Sequence, residues 1–299
     1  MNISNNKQST ASAEIEKPSK VVQNTNLYTT YFRSFSDIPL AAEFAKLIRA
    51  EEAYEQDKAI MGNIETRIPW FEARYKAIDT LIKSSGVDQV VEFAAGRSLR
   101  GIINPQWNFV HTDQDPEALE QMWCYAKKLL TKQGRMPAFV GFDAISGEGF
   151  ENITQNLSIH APIAVVHEGL YTYYPHPTKE KIAINAKMLL EKYGGFYITP
   201  DIHHKEEMAE WNKLGARSEE QKKNWTRKFS RDLESFYFTD REESHEFFTR
   251  LGFVYEIYSM GELVSDLSST RKLFTDPDKI REVDEATKRM NIWKMSLRK

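Results

Sequence analysis

The 299-residue sequence contains a single cysteine, Cys124, so an internal disulfide is excluded. Because Cys124 falls in the apolar stripe of a predicted helix, we expect a packed thiol rather than a reactive one. No apolar run is long enough to span a bilayer, and the first residues lack the apolar core of a signal peptide. These absences predict a cytoplasmic protein with no membrane partner.

The sequence also lacks an excess of charge of either sign. Its 40 Lys and Arg residues face 43 Asp and Glu residues, for a net charge of -3. Proteins that bind nucleic acid usually carry a basic excess, so no nucleic-acid partner is expected. Residues 1–26 are dominated by Asn, Ser, Gln and Lys, which predicts a disordered tail. The remaining residues, 27–299, suit one large α/β domain with additions.

Strand-like and helical segments alternate after this tail. The strand candidates are continuous apolar runs, which are typical of a mostly parallel sheet covered on both faces. We predict strands over residues 87–93, 107–112, 137–142, 162–167, 196–200, 253–258 and 293–298. We predict helices over residues 38–56, 67–84 and 178–193, one that begins at Pro116 after an Asp115 cap, and one from Asp240 to Gly252. Residues 27–86 therefore form an N-terminal helical region, and residues 203–236 form a helical, lid-like insertion after strand five.

The first strand ends in a turn of small residues, Glu92-Phe93-Ala94-Ala95-Gly96-Arg97-Ser98. Small residues let a nucleotide-like ligand approach the backbone closely. Ala94 and Ala95 stand where a dinucleotide fingerprint requires glycines, so a pyrophosphate fits poorly and a nicotinamide oxidoreductase is disfavoured. A nucleoside ligand without phosphates, such as S-adenosylmethionine, fits this turn better.

Four acids stand in order at the carboxyl ends of the first four predicted strands. They are Glu92, Asp113, Asp143 and Glu168. In an open parallel sheet, ligands bind beyond the carboxyl ends of the strands. Any one of these acids alone is consistent with a loop carboxylate or a helix cap. Four in succession predict a polar ligand site at this edge of the sheet.

The turn at Glu92–Gly101, these acids and the segment His167–Tyr174 together resemble the class I S-adenosylmethionine-dependent methyltransferases. More narrowly, they resemble the branch that contains leucine carboxyl methyltransferases and the polyketide O-methyltransferase of tetracenomycin synthesis. The resemblance covers about residues 28–299. It implies a Rossmann-like α/β fold with a seven-stranded, mostly parallel sheet whose last strand is antiparallel. It also implies S-adenosylmethionine as the methyl donor and S-adenosylhomocysteine as the product.

The same resemblance assigns residues to the cofactor. It implies that the cofactor-binding residues are Arg74, Glu92, Ala94, Gly96, Asp113, Gln114, Asp143, Ala144 and Glu168. Asp113 matches the ribose-binding acid after strand two, and Asp143 matches the acceptor of the adenine amine after strand three. Carboxylate oxygens suit both roles, because vicinal hydroxyls and an exocyclic amine are hydrogen-bond donors.

Arg74 lies on the apolar face of the predicted helix 67–84, where a guanidinium requires an anion. One possible partner is Glu92 or Asp79, in a structural ion pair. The resemblance implies another, the carboxylate of the cofactor's methionine moiety, which a bidentate arginine matches well. Arg97 and Arg100 either contact the ligand or face solvent beside the turn.

Tyr171 and His203 are the catalytic candidates. Tyr171 belongs to the aromatic segment after strand four, and a ring face attracts a cation such as a sulfonium; its alternative role is packing. His203 is a base for a hydroxyl substrate, unless His203 and His204 are an exposed loop pair. No metal is expected, because two adjacent histidines rarely bind one ion.

A carboxylate nucleophile is ionised at neutral pH and requires no base. The first prediction is therefore O-methylation of a small-molecule or polyketide-like acid, and the expected partner is a small-molecule acid or hydroxyl compound. Two alternatives stay open, a catalytically silent S-adenosylmethionine-binding interaction protein and an NAD(P)-dependent oxidoreductase. The sequence does not specify the oligomeric state.

Overall fold

The computed structural model describes residues 20–61, 64–130, 135–213, 218–230 and 232–298. The helices are α1 Lys20–Arg33, α2 Ala41–Leu47, α3 Ala50–Met61, α4 Ile68–Ser85, α5 Arg100–Ile103, α6 Pro116–Leu129, α7 Phe150–Thr154, α8 His176–Tyr193, α9 Lys205–Asn212, α10 Glu219–Phe229, α11 Arg241–Arg250, α12 Met260–Leu263, α13 Ser268–Leu273 and α14 Pro277–Lys288. The strands are β1 Gln89–Phe93, β2 Asn108–Asp113, β3 Ala138–Gly141, β4 Ile163–His167, β5 Gly195–Thr199, β6 Phe253–Ser259 and β7 Asn291–Leu297. Short 3-10 turns cover Glu65–Arg67, Tyr171–Tyr173 and Leu233–Phe236.

The strands form one sheet in the order β3-β2-β1-β4-β5-β7-β6. β1 to β5 run parallel, and β7 is antiparallel to both β5 and β6. The predicted Rossmann-like sheet with an antiparallel last strand is confirmed, and each strand lies within two residues of its predicted bounds. The strand order reverses beside β1, which is where ligands bind in open sheets of this kind.

Two apolar clusters cover the two faces of the sheet. Val91 and Val165 belong to the cluster that packs against α8, and Val90 and Ala164 belong to the one that packs against α4. Neighbouring strand residues point to opposite faces, so each strand contributes to both clusters. Burial on both faces explains why the strands read as unbroken apolar runs.

The N-terminal region departs from the prediction at α1. Residues 1–19 of the predicted tail lie outside the described residues, but the chain is helical from Lys20, so the tail does not extend to residue 26. Tyr28 and Phe32 are buried in a separate aromatic cluster with Tyr54 and Ile68. Helical spacing relates four aromatic residues here, Tyr28, Tyr31, Phe32 and Phe35. This spacing indicates a helix, although the polar composition of the segment before it suggested a tail.

The predicted helix 38–56 is two helices, α2 and α3. Arg49 takes a left-handed backbone conformation with φ of 56°, and this breaks the helix between them. Asp37 does not cap α2, because its carboxylate pairs with Lys76 at 2.6 Å. The break turns α3 back towards α1, against which it packs.

The expectation of a packed thiol at Cys124 is wrong. The side chain is exposed, because α6 buries Met122, Tyr125 and Ala126 instead. None of the helices in the described ranges has both the length and the apolar character needed to cross a bilayer.

Candidate active site

A cavity of about 680 Å³ lies at the carboxyl ends of β1, β2 and β4. Its floor is the turn after β1 with the loops after β2 and β4, and its walls come from α1, α4 and the insertion between β5 and α11. The predicted site residues that line it are Arg74, Glu92, Ala94, Gly96, Asp113, Gln114, Glu168 and His203. In the described part of the chain, Asp143, Ala144 and Tyr171 do not line it.

The turn after β1 has the backbone shape of a glycine turn although it lacks most of the glycines. Ala94 has a φ of 47°, in the left-handed region that favours glycine. The N–H of Gly96 donates to Oδ2 of Asp113 at 2.7 Å, and the N–H of Asp115 donates to Oδ1 at 2.8 Å. Asp113 therefore holds the first two loops of the floor together, and burial raises the pKa of its carboxyl.

The turn also contacts α1. A Cβ built on Gly96 would lie 3.0 Å from Cβ of Asn26, so this position accommodates the helix closely. Arg97 donates to the side-chain oxygen of Asn26 and, at 2.9 Å, to Gln121. Arg97 is buried, so it does not face solvent as one alternative had it. Asn26 is a site-lining residue that the sequence analysis placed in the tail.

Glu168 is held by three arginines. Oε1 accepts from Arg33 and, at 2.6 Å, from Nε of Arg74, and Oε2 accepts from Arg100 at 3.1 Å. Burial raises the pKa of Glu168, but the three guanidinium groups outweigh burial and lower it to about 2. Glu168 is therefore ionised at neutral pH and engaged by the protein itself.

Asp79 and Glu92, which the sequence analysis considered as ion-pair partners of Arg74, pair with Arg100 instead. Arg100 is fully buried and pairs with Asp79 at 2.6 Å and with Glu92, as well as with Glu168. Three arginines thus balance three buried carboxylates beneath the cavity. Oε2 of Glu92 is buried and has no hydrogen-bond partner within the described ranges.

Arg74 lies between this network and an aromatic wall. Its guanidinium carbon is 4.8 Å from the ring centre of Trp70 and 4.5 Å from that of Phe71. Nε1 of Trp70 is buried and makes no hydrogen bond with any described residue. The wall therefore presents a guanidinium stacked between aromatic rings to the cavity.

His203 lies in the cavity wall, whereas His204 does not. The His203 ring centre is 5.6 Å from that of Trp70 and 5.5 Å from that of Tyr237. Burial lowers the pKa of His203 to about 4, although nearby Asp201 opposes this shift, so the imidazole is neutral at physiological pH. His204 is bonded to Glu207 and Ser244, each at 2.9 Å. The alternative of an exposed histidine pair is wrong, because both rings are buried.

Tyr171 is a core residue and not a cavity residue. Its hydroxyl accepts from the hydroxyl of Tyr197 at 2.9 Å, and burial raises its pKa. The 3-10 turn at this point directs Thr172, Tyr173 and Tyr174 to the cavity instead. The packing alternative therefore holds for Tyr171.

Asp201 fixes this same loop, a role that the sequence analysis missed. Its carboxylate accepts from the N–H groups of Gly169 at 2.9 Å, Leu170 at 2.7 Å and Tyr171 at 3.3 Å. It also pairs with His167 at 3.0 Å. The available signal was its position directly after the fifth strand, the same pattern as the four acids singled out above.

Asp143 serves its own loop. Its Oδ1 accepts from the N–H groups of Ile145 at 2.8 Å and Ser146 at 3.4 Å. Ala144 is buried, and its carbonyl accepts from Asn185 at 2.9 Å. Asp143 therefore acts as a loop carboxylate, which was the alternative open to any single acid. Among the described residues that line the cavity, neither Asp143 nor Ala144 is present.

The insertion and α1 meet above the cavity. Lys228 in α10 pairs with Asp57 in α3, and Tyr28 in α1 donates to the same carboxylate. Nζ of Lys228 also donates to the Tyr28 hydroxyl at 3.1 Å. We call α1, α3 and α10 the roof, because their residues line the cavity opposite the strand ends.

No protein-family model and no curated protein matches this sequence. A solved DUF574 family protein from Streptomyces avermitilis is 12% identical with a TM-score of 0.52, over 91% of this chain and 97% of its own. The plantazolicin methyltransferase BpumL, solved with a desmethylplantazolicin analogue and S-adenosylhomocysteine, is 11% identical (TM-score 0.42; 94% and 100% covered). Magnesium protoporphyrin IX methyltransferase from Synechocystis PCC 6803, also solved with S-adenosylhomocysteine, is 11% identical (TM-score 0.47; 83% and 95% covered). At 12% identity the likeness to the Streptomyces protein is one of fold, and it extends over nearly the whole chain.

Proposed function

We propose that this protein is an S-adenosylmethionine-dependent methyltransferase that methylates a carboxylate oxygen of a small-molecule acid. The proposal rests on one cavity, at the strand-order reversal of a seven-stranded sheet, that brings together the turn after β1, Asp113 and Arg74. The narrower resemblance to leucine carboxyl and tetracenomycin-type methyltransferases is part of the same proposal.

The residues at the floor fit this cofactor. Ala94 has the left-handed conformation of a glycine turn, which lets a ligand approach the backbone. Glu92 lines the floor beside this turn, and a carboxylate there suits an ammonium group or a hydroxyl. Asp113 and Gln114 stand at the carboxyl end of β2, in the position that the resemblance gives to ribose binding. Arg74 would hold the carboxylate of the methionine moiety with the nitrogens that Glu168 does not engage.

When bound, S-adenosylmethionine supplies a methyl group on a sulfonium, which is already a good leaving group. The protein's own contribution is therefore orientation and the exclusion of water. Trp70, Tyr173 and Trp225 line the cavity with rings that attract a cation. A carboxylate substrate requires no proton transfer, so none of these residues has to act as a base.

The roof side of the cavity supports an acidic substrate. Lys222, Lys223 and Arg227 of α10 line the cavity together with Asp232 and Glu234 of the same insertion, and Lys222 also pairs with Glu219 at 2.9 Å. Such cations attract an anion from solution, with a strength that depends on salt. The neutral imidazole of His203 supports a second acceptor class, since it can take a hydrogen bond from a substrate hydroxyl.

Calorimetric titration of the purified protein with S-adenosylhomocysteine tests the cofactor. We expect binding in the micromolar range, and no binding at high ligand concentration would overturn the proposal. A screen of carboxylic acids and phenols with a labelled methyl donor then tests the reaction. Transfer to acids supports the proposal, transfer only to phenols assigns the base role to His203, and binding without transfer supports a catalytically silent module.

A further inference from the structure

The sequence of α1 is poorly suited to forming a helix by itself. Lys20–Arg33 reads KVVQNTNLYTTYFR, in which valine, threonine and asparagine have low helical propensity. A helix of 14 residues is marginal in water even for better sequences. The helical state of α1 must therefore come from its contacts with the rest of the protein.

Those contacts divide between the other two roof helices, α3 and α10, and the cavity floor. On the roof side, Tyr28 and Phe32 are buried with Tyr54 of α3. On the floor side, Arg33 pairs with Glu168 and Asn26 accepts from Arg97. The floor contacts are made to the loops after β1 and β4, which are the loops that line the proposed cofactor site.

The inner side of α1 also lines the cavity. The α1 residues that line the cavity are Thr25, Asn26, Tyr28, Thr29, Phe32 and Arg33. Arg33 is nine-tenths buried, and its Nε finds no acceptor among the residues that the structure describes. That nitrogen is closed off from the cavity, so Arg33 is linked to the cavity floor through its ion pair with Glu168.

We propose that α1 is a strap whose docking onto the cavity floor is linked to occupancy of the cavity by the cofactor. This inference rests on the proposed function, because it takes S-adenosylhomocysteine as the ligand of the cavity. A ligand that contacts both the floor and α1 stabilises the docked helix. By thermodynamic reciprocity, the docked helix then raises the affinity for the ligand by the same factor.

Hydrogen–deuterium exchange of the full chain, with and without S-adenosylhomocysteine, tests the linkage. We expect exchange of the backbone amides at residues 20–33 to slow by roughly tenfold or more when the ligand is bound, since local opening must then release it. Unchanged or faster exchange in a protein that binds the ligand overturns this inference and leaves the proposed function intact. Absence of binding overturns the proposed function and the inference with it.

Two matched variants separate the floor contacts from general packing of the helix. Arg33→Gln removes the contact with Glu168 and should weaken S-adenosylhomocysteine binding by roughly tenfold. Tyr31→Phe removes only the exposed hydrogen bond to Glu51, at 3.4 Å, and should leave that affinity unchanged. Equal weakening in the two variants, or none in Arg33→Gln, contradicts a strap that acts through the floor.

Discussion

At the scale of single residues, two acids that occupy similar places in the sequence occupy different places in the molecule. Asp113 lines the cavity, whereas Asp143 bonds within its own loop. We therefore expect Asp113→Ala to weaken S-adenosylhomocysteine binding by about 1–3 kcal/mol, through the loss of a charged acceptor. Asp143→Ala is the matched control and should leave the affinity unchanged in calorimetry. Equal affinities for the two variants would remove Asp113 from the ribose role.

The left-handed Ala94 gives a prediction about stability. An alanine with a φ of 47° is strained by its Cβ, so Ala94→Gly should raise the free energy of unfolding by about 1 kcal/mol. Ala95→Gly lies in the same turn at a position without positive φ, and it should lower that free energy by roughly 0.5–1 kcal/mol. Urea unfolding of the two variants measures both changes, and a loss in Ala94→Gly would show that the turn stores no strain there.

Arg74 and Arg100 contact the same carboxylate but should respond differently to substitution. Arg100→Met leaves Asp79 and Glu92 buried without their partner, which should cost about 3–5 kcal/mol of folding free energy. Arg74→Met leaves Glu168 with Arg33 and Arg100, so the fold should survive while S-adenosylhomocysteine binding weakens. If Arg74→Met destabilises the protein without a separate binding defect, its ion pair is structural.

At the scale of elements, the strands and α4 could be predicted, whereas α1 and the division between α2 and α3 could not. Each strand is buried on both faces, so its apolar run is a local signal that survives in the sequence. The break between α2 and α3 lies at Arg49, a residue type that gives no local sign of a left-handed turn. The helicity of α1 depends on partners far away in sequence, such as Glu168, and composition alone suggested a tail.

The insertion is attached to the domain through a buried lysine. Nζ of Lys179 in α8 donates to the carbonyl of Phe236, which ends the 3-10 turn beside the cavity. Burial lowers the pKa of Lys179 to about 8, below the 10.5 of an ordinary lysine, although Asp201 and Glu243 oppose the shift. Between these two pH values the unfolded chain binds more protons than the folded chain, so the folded state gains stability as pH rises through this window.

We therefore expect the wild-type protein to gain about 1–3 kcal/mol relative to Lys179→Met between about pH 7.5 and pH 10. Because the variant carries the same other titrating groups, the difference between the two proteins isolates the lysine. Urea unfolding at both pH values measures it. A difference that does not change with pH would mean that Lys179 titrates normally in the folded state.

At the scale of the whole molecule, the sequence predicted which loops converge but not which side chains meet. The parallel direction of the strands brings the carboxyl ends of β1, β2 and β4 to one edge, and that direction follows from the alternating pattern. The pairing of Arg100 with Asp79 and Glu92, and of Arg74 with Glu168, depends on how helices pack above that edge. The direction of Tyr171 depends on a 3-10 turn of three residues, which no periodic pattern reveals.

The cavity joins the sheet, the N-terminal helices and the insertion, so a ligand that fills it should stabilise the molecule as a whole. With S-adenosylhomocysteine at about 100 times its dissociation constant, we expect the free energy of unfolding to rise by about 2.7 kcal/mol, since the ligand binds only the folded chain. NADH at the same concentration should produce no change, because Ala94 and Ala95 replace glycines that a pyrophosphate requires. Chemical unfolding with each ligand measures both effects. Stabilisation by NADH and not by S-adenosylhomocysteine would favour the oxidoreductase over the methyltransferase.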